Sequence, residues 1–380
     1  MDELWPGRAT EEGTRRYAQR FPELRAHFRC PDRLWLSSLG MGTRPGDPGG
    51  VDDLAYRSTV AYAFESGINV VDTALSYRLQ TSERALGAAL RRAFASEGAA
   101  RDELCVVTKG GYLTIDPDFA RSRHEAQNYL YRTYIDSGLV DADGLVNGRH
   151  SLDRAFIRDQ IERSRRNLGL ATLDVYCLQD PELHLAAKGP DEFRRILVQL
   201  IETLEEAVDK GSIGDYGFST WSGFLVPHSE RGHLSIAELM ETALDVGGAD
   251  HHLRAIQLPY SVAMGEALGL PSQFGTQSRP TAVLEMLRET GTVVFTVAPL
   301  VQGRVVRGLP EFLRRAMPGL ETDAQRALQF ARSSPGVTTT LVGMRSQAHV
   351  DENLAVARAE PLAPETIATL FDEARKREPG

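Results

Sequence analysis

Eight short apolar runs, rich in Val, Ile and Leu, recur along the chain with amphipathic stretches of roughly 12 to 20 residues between them. They occupy residues 34–36, 68–71, 104–107, 173–178, 216–218, 255–258, 292–297 and 340–342. The stretches between them carry helical signals. Ser82-Glu83-Arg84 reads as the capped start of a helix with Leu86, Leu90 and Phe94 on one face. Ser151 precedes a further helical stretch with Phe156, Ile157, Ile161 and Leu168. A stripe of Leu197, Leu200, Ile201, Leu204 and Ala207 runs into the stop signal Lys210-Gly211. Pro280 suits a helix start ahead of Val283, Leu284 and Leu287. Strands alternating with helices call for a parallel sheet with right-handed crossovers, and eight such units can close into a (β/α)8 TIM barrel.

The rest of the 380 residues fits that frame: one barrel domain over residues 31–380, an N-terminal extension over residues 1–30 with a short helix near residues 11–25, and an insertion over residues 110–150 after the third strand. The insertion holds Tyr129, Tyr131 and Tyr134 and reads either as a functional loop or as a disordered excursion. A doubly wound sheet is the competing architecture. It needs a glycine fingerprint that opens a helix, and in Gly40-Met41-Gly42-Thr43-Arg44-Pro45-Gly46 the helix position is taken by Pro45, Pro48 and Gly49-Gly50.

Composition narrows the function classes. With 42% hydrophobic and 25% charged residues, the bulk of the chain is neither disordered nor fibrous. A net charge of −9 argues against a nucleic-acid partner. No run approaches the roughly 18 apolar residues of a membrane span, and the first residues lack a secretory signal, so a cytoplasmic location is expected. Cys30, Cys105 and Cys177 have no metal-ligand spacing, and no metal site is expected. Of the 43 basic residues only Lys109, Lys188, Lys210 and Lys376 are lysines.

Chemistry in such a barrel gathers at the C-terminal ends of the strands. Those positions hold Asp72 and then Tyr77 after the second run, Lys109 after the third, Gln179 and Asp180 after the fourth, and Ser219, Thr220 and Trp221 after the fifth. Gln257 and Tyr260 follow the sixth, Pro299 to Arg304 the seventh, and Gly343 to Arg345 the eighth. A tyrosine is a weak acid at neutral pH, and an ammonium beside it stabilises the phenolate and lowers its pKa. A carboxylate beside the lysine keeps it charged and in place. Asp72, Tyr77 and Lys109 together therefore read as a proton-transfer set. Each also has a plainer reading: a turn cap, a packing ring and a solvated strand end. Arg345 beside Ser346, which reads as a helix cap, reads as a phosphate site or as an ordinary helix start.

These motifs resemble the aldo-keto reductase superfamily. Gly67-Ile68-Asn69-Val70-Val71-Asp72-Thr73-Ala74, then Tyr77, Ser82-Glu83 and Leu86-Gly87, is similar to its second strand and following helix. Val107-Thr108-Lys109-Gly110 is similar to its lysine strand, and Gly211 through Thr220 to its fifth. Leu341-Val342-Gly343-Met344-Arg345 with Glu352-Asn353 is similar to its cofactor-phosphate segment. The resemblance spans roughly residues 34 to 375. It implies a barrel that binds NADPH and transfers hydride to or from a small carbonyl or alcohol substrate, with Asp72, Tyr77, Lys109 and Gln179 as the catalytic set and Tyr77 as proton donor. It further implies that Asp72, Ser219, Thr220 and Gln257 surround the nicotinamide and that Gly42 and Thr43 line the cofactor. Pro299, Leu300, Gln302 and Gly303 would border the pyrophosphate, and Arg345, Ser346, His349, Glu352 and Asn353 the adenosine 2′-phosphate and adenine. Arg78, Tyr112 and Trp221 are the expected substrate contacts, Arg78 alternatively forming a salt bridge to Asp180 or Glu83.

Two departures bear on function. The family usually carries histidine where this chain has Gln179, in Leu178-Gln179-Asp180-Pro181-Glu182, and His184 is the nearest substitute in sequence. A glutamine amide can donate a hydrogen bond to a carbonyl oxygen but cannot take up or give a proton as an imidazole does. The usual aromatic residue on the seventh strand is Val297. Three functions are therefore open: carbonyl reduction or its reverse, a cofactor-binding sensor or auxiliary protein with weak or no turnover, and altered chemistry such as double-bond reduction or isomerisation.

Overall fold

The computed structural model describes residues 3–96, 98–119, 122–275 and 279–376. Within the expected insertion and loops, Ala120, Arg121, Thr276, Gln277 and Ser278 lie outside the described residues, as do the last four of the barrel segment. Eight strands close into a barrel in chain order: β1 (Leu39–Gly42), β2 (Val70–Asp72), β3 (Cys105–Gly110), β4 (Leu173–Gln179), β5 (Ile213–Ser219), β6 (Leu253–Pro259), β7 (Val293–Val297) and β8 (Thr339–Gly343). All neighbours are parallel, and β8 pairs with β1 through Val342↔Met41 and Gly343↔Gly42. The helices between them are α1 (Gly50–Glu65), α2 (Thr81–Ala95), α3 (Arg154–Leu168), α4 (Pro190–Asp209), α5 (Ile236–Gly247), α6 (Val283–Thr290), α7 (Asp323–Ser333) and α8 (Gln347–Arg358). This is the (β/α)8 architecture that the alternating runs require.

The core has two compartments because strand side chains alternate in direction. Val70, Cys105, Val107, Val175, Cys177, Ala255, Phe295 and Leu341 fill the barrel interior. A larger shell of aliphatic and aromatic side chains packs the outer strand faces against the helices.

The structure corrects the first run. Residues 34–36 are not barrel strand 1; Leu36–Ser37 pairs antiparallel with Phe28–Arg29, and Leu34 and Leu36 join the interior cluster. Their apolarity comes from plugging the barrel floor. The true β1 contains two glycines and gives a weak pattern. Gly40 is closely packed there: a Cβ would come within 2.7 Å of the Leu341 side chain and 2.8 Å of that of Thr339, so these would have to shift. Two helix starts also move. The chain enters α2 at Thr81 from Gln80, whose φ is +72°, rather than from a Ser82 cap. Pro280–Thr281 forms a two-residue strand with Gln273–Phe274, and α6 begins at Val283.

The N-terminal residues pack under the barrel. A helix spans Glu11–Gln19; the Ala9 N–H donates to Asp174 at 2.6 Å, and the buried Tyr17 hydroxyl donates to the Phe64 carbonyl. The described part of the insertion is folded. Its helix Arg123–Leu130 runs on into a wider turn, and buried Tyr134 donates to the Thr114 carbonyl at 2.8 Å while packing edge-on against Phe156. Among the described residues no helix is long and apolar enough to cross a membrane.

Candidate active site

Strand register builds the site. Gly42, Asp72 and Val107 are successive partners across β1, β2 and β3, and Gln179, Ser219 and Gln257 form a second row across β4, β5 and β6. Lys109 lies two residues beyond Val107, so its side chain returns to the interior face with that of Asp72. The Lys109 ammonium donates to Asp72 Oδ1 at 2.6 Å and to the Thr73 carbonyl at 2.7 Å. Asp72 Oδ1 also accepts from Gln257 Nε2 at 2.8 Å, and Gln257 Oε1 accepts from the Ser219 hydroxyl at 2.8 Å. One hydrogen-bonded chain thus links four strands across the mouth. Tyr77 enters from the turn after β2, with its ring centroid 4.8 Å from Lys109 Nζ.

The electrostatics qualify the expectation for the tyrosine. Burial alone pulls Lys109 downward, but Asp72 and Tyr77 hold the ammonium above its ordinary pKa. Burial pushes the Tyr77 phenol up; Lys109 and Arg44 act in the opposite direction, and the net shift is upward. The lysine lowers the phenol only in part, since its charge is already shared with Asp72. Tyr77 is therefore a protonated phenol at neutral pH. Behind it, Arg78, Leu79 and Gln80 have φ of +47°, +54° and +72°. Three consecutive non-glycine residues in the left-handed region are costly, and such strain gathers at functional turns.

Arg78 stands elsewhere than a substrate contact would. Its guanidinium is buried, donates to Asp53 at 2.6 Å and to Ser82 Oγ at 2.9 Å, and lies 4.7 Å over the Tyr56 ring. A buried cation needs a fixed counter-charge, and Asp53 on α1 supplies it rather than Asp180 or Glu83. Glu83 is instead held by Thr108 Oγ1 at 2.6 Å and Asn167 at 3.0 Å. Thr43 is buried and donates through its N–H and its hydroxyl to the Asp72 carbonyl.

On the other side of the mouth, Gln179 is half-buried, and its backbone carbonyl is 2.7 Å from His150 Nε2. His150 and His184 are buried with ring centroids 5.1 Å apart; burial lowers them to about 4 and about 3, so both are neutral imidazoles. Tyr112 donates to Asp180 Oδ2 at 2.6 Å. The Thr220 hydroxyl is turned to Glu182 Oε1 at 2.5 Å, which also accepts from the backbone N–H groups of Trp221, Ser222 and Gly223. Glu182 thereby shapes the loop that carries Trp221, whose indole is exposed. His150, Glu182 and the role of Asp180 were not legible in the sequence. The one local signal was an acidic pair flanking Pro181 just past a strand end.

The remaining positions gather where β7, β8 and β1 end. Pro299 is buried, Leu300 is half-buried, and Gln302 and Gly303 are exposed on a tight turn with φ of +55° and +89°. Ser346 caps α8, its hydroxyl accepting from the His349 N–H at 3.3 Å, and the His349 side chain is exposed. Arg345 pairs with Asp52 of α1 at 2.8 Å. Glu352 accepts from Thr322 Oγ1 at 2.8 Å, and Asn353 is buried beside it on α8.

Comparisons with known proteins agree with this architecture. The sequence profile of the aldo/keto reductase family matches residues 38–307. The fold is similar to that of an aldo-keto reductase from Bacillus halodurans solved in its holo form, at 21% identity and a TM-score of 0.59, over 90% of this chain and 95% of that one. It is similar to an aldo/keto reductase from Klebsiella pneumoniae solved with NADP and acetate, at 20% identity and a TM-score of 0.57, over 92% and 95%. It is similar to the glycerol dehydrogenase of Gluconobacter oxydans, at 18% identity and a TM-score of 0.61, over 93% and 97%. Comparison with curated protein sequences gives no match. With a family profile covering most of the chain and an eight-stranded barrel carrying an Asp–Lys–Tyr constellation at its mouth, this chain belongs to the aldo/keto reductase family.

Proposed function

We propose that the chain is an NADPH-dependent oxidoreductase acting on a small carbonyl or alcohol, with Tyr77 exchanging the proton at the substrate oxygen. The observation that carries this reading is the buried Lys109–Asp72 pair with the Tyr77 ring against the ammonium. The residues around the mouth suit a dinucleotide. Ser219 and Gln257 are bonded to each other and Gln257 to Asp72, which leaves the hydroxyl oxygen as an acceptor and one amide N–H for a carboxamide. The turn at Gln302–Gly303 is exposed where a phosphate would need close approach, and a Cβ added at Gly303 would meet nothing within 4 Å. Arg345 stands at the N-terminus of α8, whose first turn holds no acidic residue. The Klebsiella relative, solved with NADP, supports the same cofactor class.

When bound, NADPH supplies the hydride. The chain's own work is positioning and proton transfer. During reduction Tyr77 Oη donates its proton to the substrate oxygen as negative charge grows there, and Lys109 stabilises the phenolate left behind. Asp72 holds Lys109 charged and in place, and Gln257 holds Asp72. Gln179 orients the carbonyl through its amide and takes no part in moving the proton.

A second reading, a cofactor-binding sensor or auxiliary protein with little turnover, is favoured by Gln179 at the family's histidine position. Fluorescence titration with NADPH and with NADH, followed by NADPH consumption on propanal, separates the readings. Saturable binding with NADPH tighter, followed by turnover, supports the reductase. Binding without turnover that Gln179→His restores supports the sensor. Binding of neither nucleotide overturns both.

A further inference from the structure

Asp180 is a half-buried carboxylate at the barrel mouth that makes no ion pair among the described residues. It directly follows Gln179, which pairs in register with Ser219, and its own N–H donates to the Ser219 carbonyl at 2.7 Å. Its φ is +47°, a conformation that L-residues seldom adopt and Asp and Asn tolerate best.

Every charged or titratable neighbour leaves this carboxylate uncompensated. Tyr112 donates to Oδ2 at 2.6 Å but brings no charge. Lys109 acts on it only from a distance, being bound to Asp72. Glu182 is a second carboxylate, and its Oε1 is already filled by Thr220 and the following N–H groups. Arg149 lies 5.9 Å from the Tyr112 ring and is not paired with Asp180. His150, edge-on to Tyr112 at 4.7 Å, and His184 behind it are neutral imidazoles. Burial, with Glu182 adding to it, pushes Asp180 up to about 6, so at neutral pH it is charged and poorly solvated. Such a group needs donors, and the structure supplies the Tyr112 phenol and a backbone N–H, that of Trp221, which is shared with Glu182.

We propose that Asp180, held by Tyr112, is a specificity-determining residue that accepts a hydrogen bond from a hydroxyl beside the reacting carbonyl and so selects hydroxylated aldehydes and ketones over those bearing a carboxylate; the inference rests on the reductase reading above. A carboxylate accepts strongly from hydroxyl donors and repels a second carboxylate at the same distance. The ring of Tyr112 and the exposed indole of Trp221, a residue whose backbone N–H is fixed by Glu182, offer apolar faces for the carbon skeleton.

The test is a ratio between matched substrates, which a merely structural role would not move. Wild-type kcat/KM is measured with NADPH on glyceraldehyde against propanal, and on succinic semialdehyde against butanal. The expected wild type favours glyceraldehyde over propanal and butanal over succinic semialdehyde. Asp180→Asn keeps a residue that tolerates the left-handed backbone; it is expected to lower the glyceraldehyde-to-propanal ratio about tenfold, chiefly through KM, and to raise the succinic semialdehyde-to-butanal ratio. Tyr112→Phe, which leaves the charge in place, is expected to lower the first ratio without raising the second. NADPH fluorescence titration checks that each variant is folded. A wild type that prefers propanal or succinic semialdehyde, or ratios unchanged in Asp180→Asn, overturns this inference and leaves the reductase reading standing. No turnover on any of the four aldehydes overturns both.

Discussion

Lys109 and Asp72 form a 2.6 Å ion pair in which the two side chains keep only 1% and 4% of their exposure. The pair joins β3 to β2 inside the barrel, and the carboxylate oxygen that binds the lysine also accepts from Gln257 on β6. A pair this dry is held by geometry, since removing either partner strands a charge.

That relationship predicts non-additive stability. Asp72→Ala and Lys109→Met should each cost about 3–5 kcal/mol, because each leaves an uncompensated buried group. The double variant should be more stable than the sum of the two losses implies. Urea denaturation of the four proteins checks this; strictly additive losses would show that the pair is not coupled.

Tyr77→Phe removes the one proton that the proposed mechanism moves and leaves the ring against Lys109. Turnover should fall roughly 10²- to 10⁴-fold. NADPH binding, read by fluorescence titration, should stay close to wild type. A phenylalanine variant with near-normal turnover would remove Tyr77 from the reaction.

Arg345 pairs with Asp52 beside the N-terminus of α8. Under the proposed function, in which the guanidinium recognises the phosphate that only NADPH carries, Arg345→Ala should weaken NADPH binding by about tenfold and leave NADH binding nearly unchanged. Asp52→Asn should act in the opposite direction by freeing the guanidinium. Parallel titrations with both nucleotides decide it, and equal losses for the two would place Arg345 away from the 2′-phosphate.

The folded-state pKa of Asp180 is raised from 3.8 to about 6, so between those values the folded protein binds more protons than the unfolded chain. Stability contributed by the protonated carboxyl is present below about pH 4 and is lost as pH rises through about 6. Asp180→Asn, which cannot ionise, should therefore gain in melting temperature relative to wild type as the pH rises from 4 to 7. Thermal melts across that range test the sign; a difference that stays constant would show that Asp180 has an ordinary pKa in the folded protein.

Seven of the eight barrel strands overlap apolar runs because interior and helix-facing positions are both apolar, which gives a run that needs no partner to be seen. The first strand was hidden for the same reason in reverse. Its sequence, Leu39-Gly40-Met41-Gly42, carries little pattern, and the stronger run at residues 34–36 serves the barrel floor.

Sequence by itself determined the barrel, the family motifs and the identity of the groups at the strand ends, because each depends on local periodicity or on residues close in the chain. The direction of each side chain belonged to tertiary structure. Arg78 follows Tyr77 by one residue, yet a left-handed turn sends it to Asp53. Thr220 follows Ser219 by one residue, yet Glu182, from another loop, takes its hydroxyl. Asp180 reads as an ordinary loop acid until Tyr112, far from it in sequence, is found on its carboxylate with no cation paired to it among the described residues. Burial and counter-charge are properties of neighbours in space, and they set which polar groups are spent on the scaffold and which remain for a ligand.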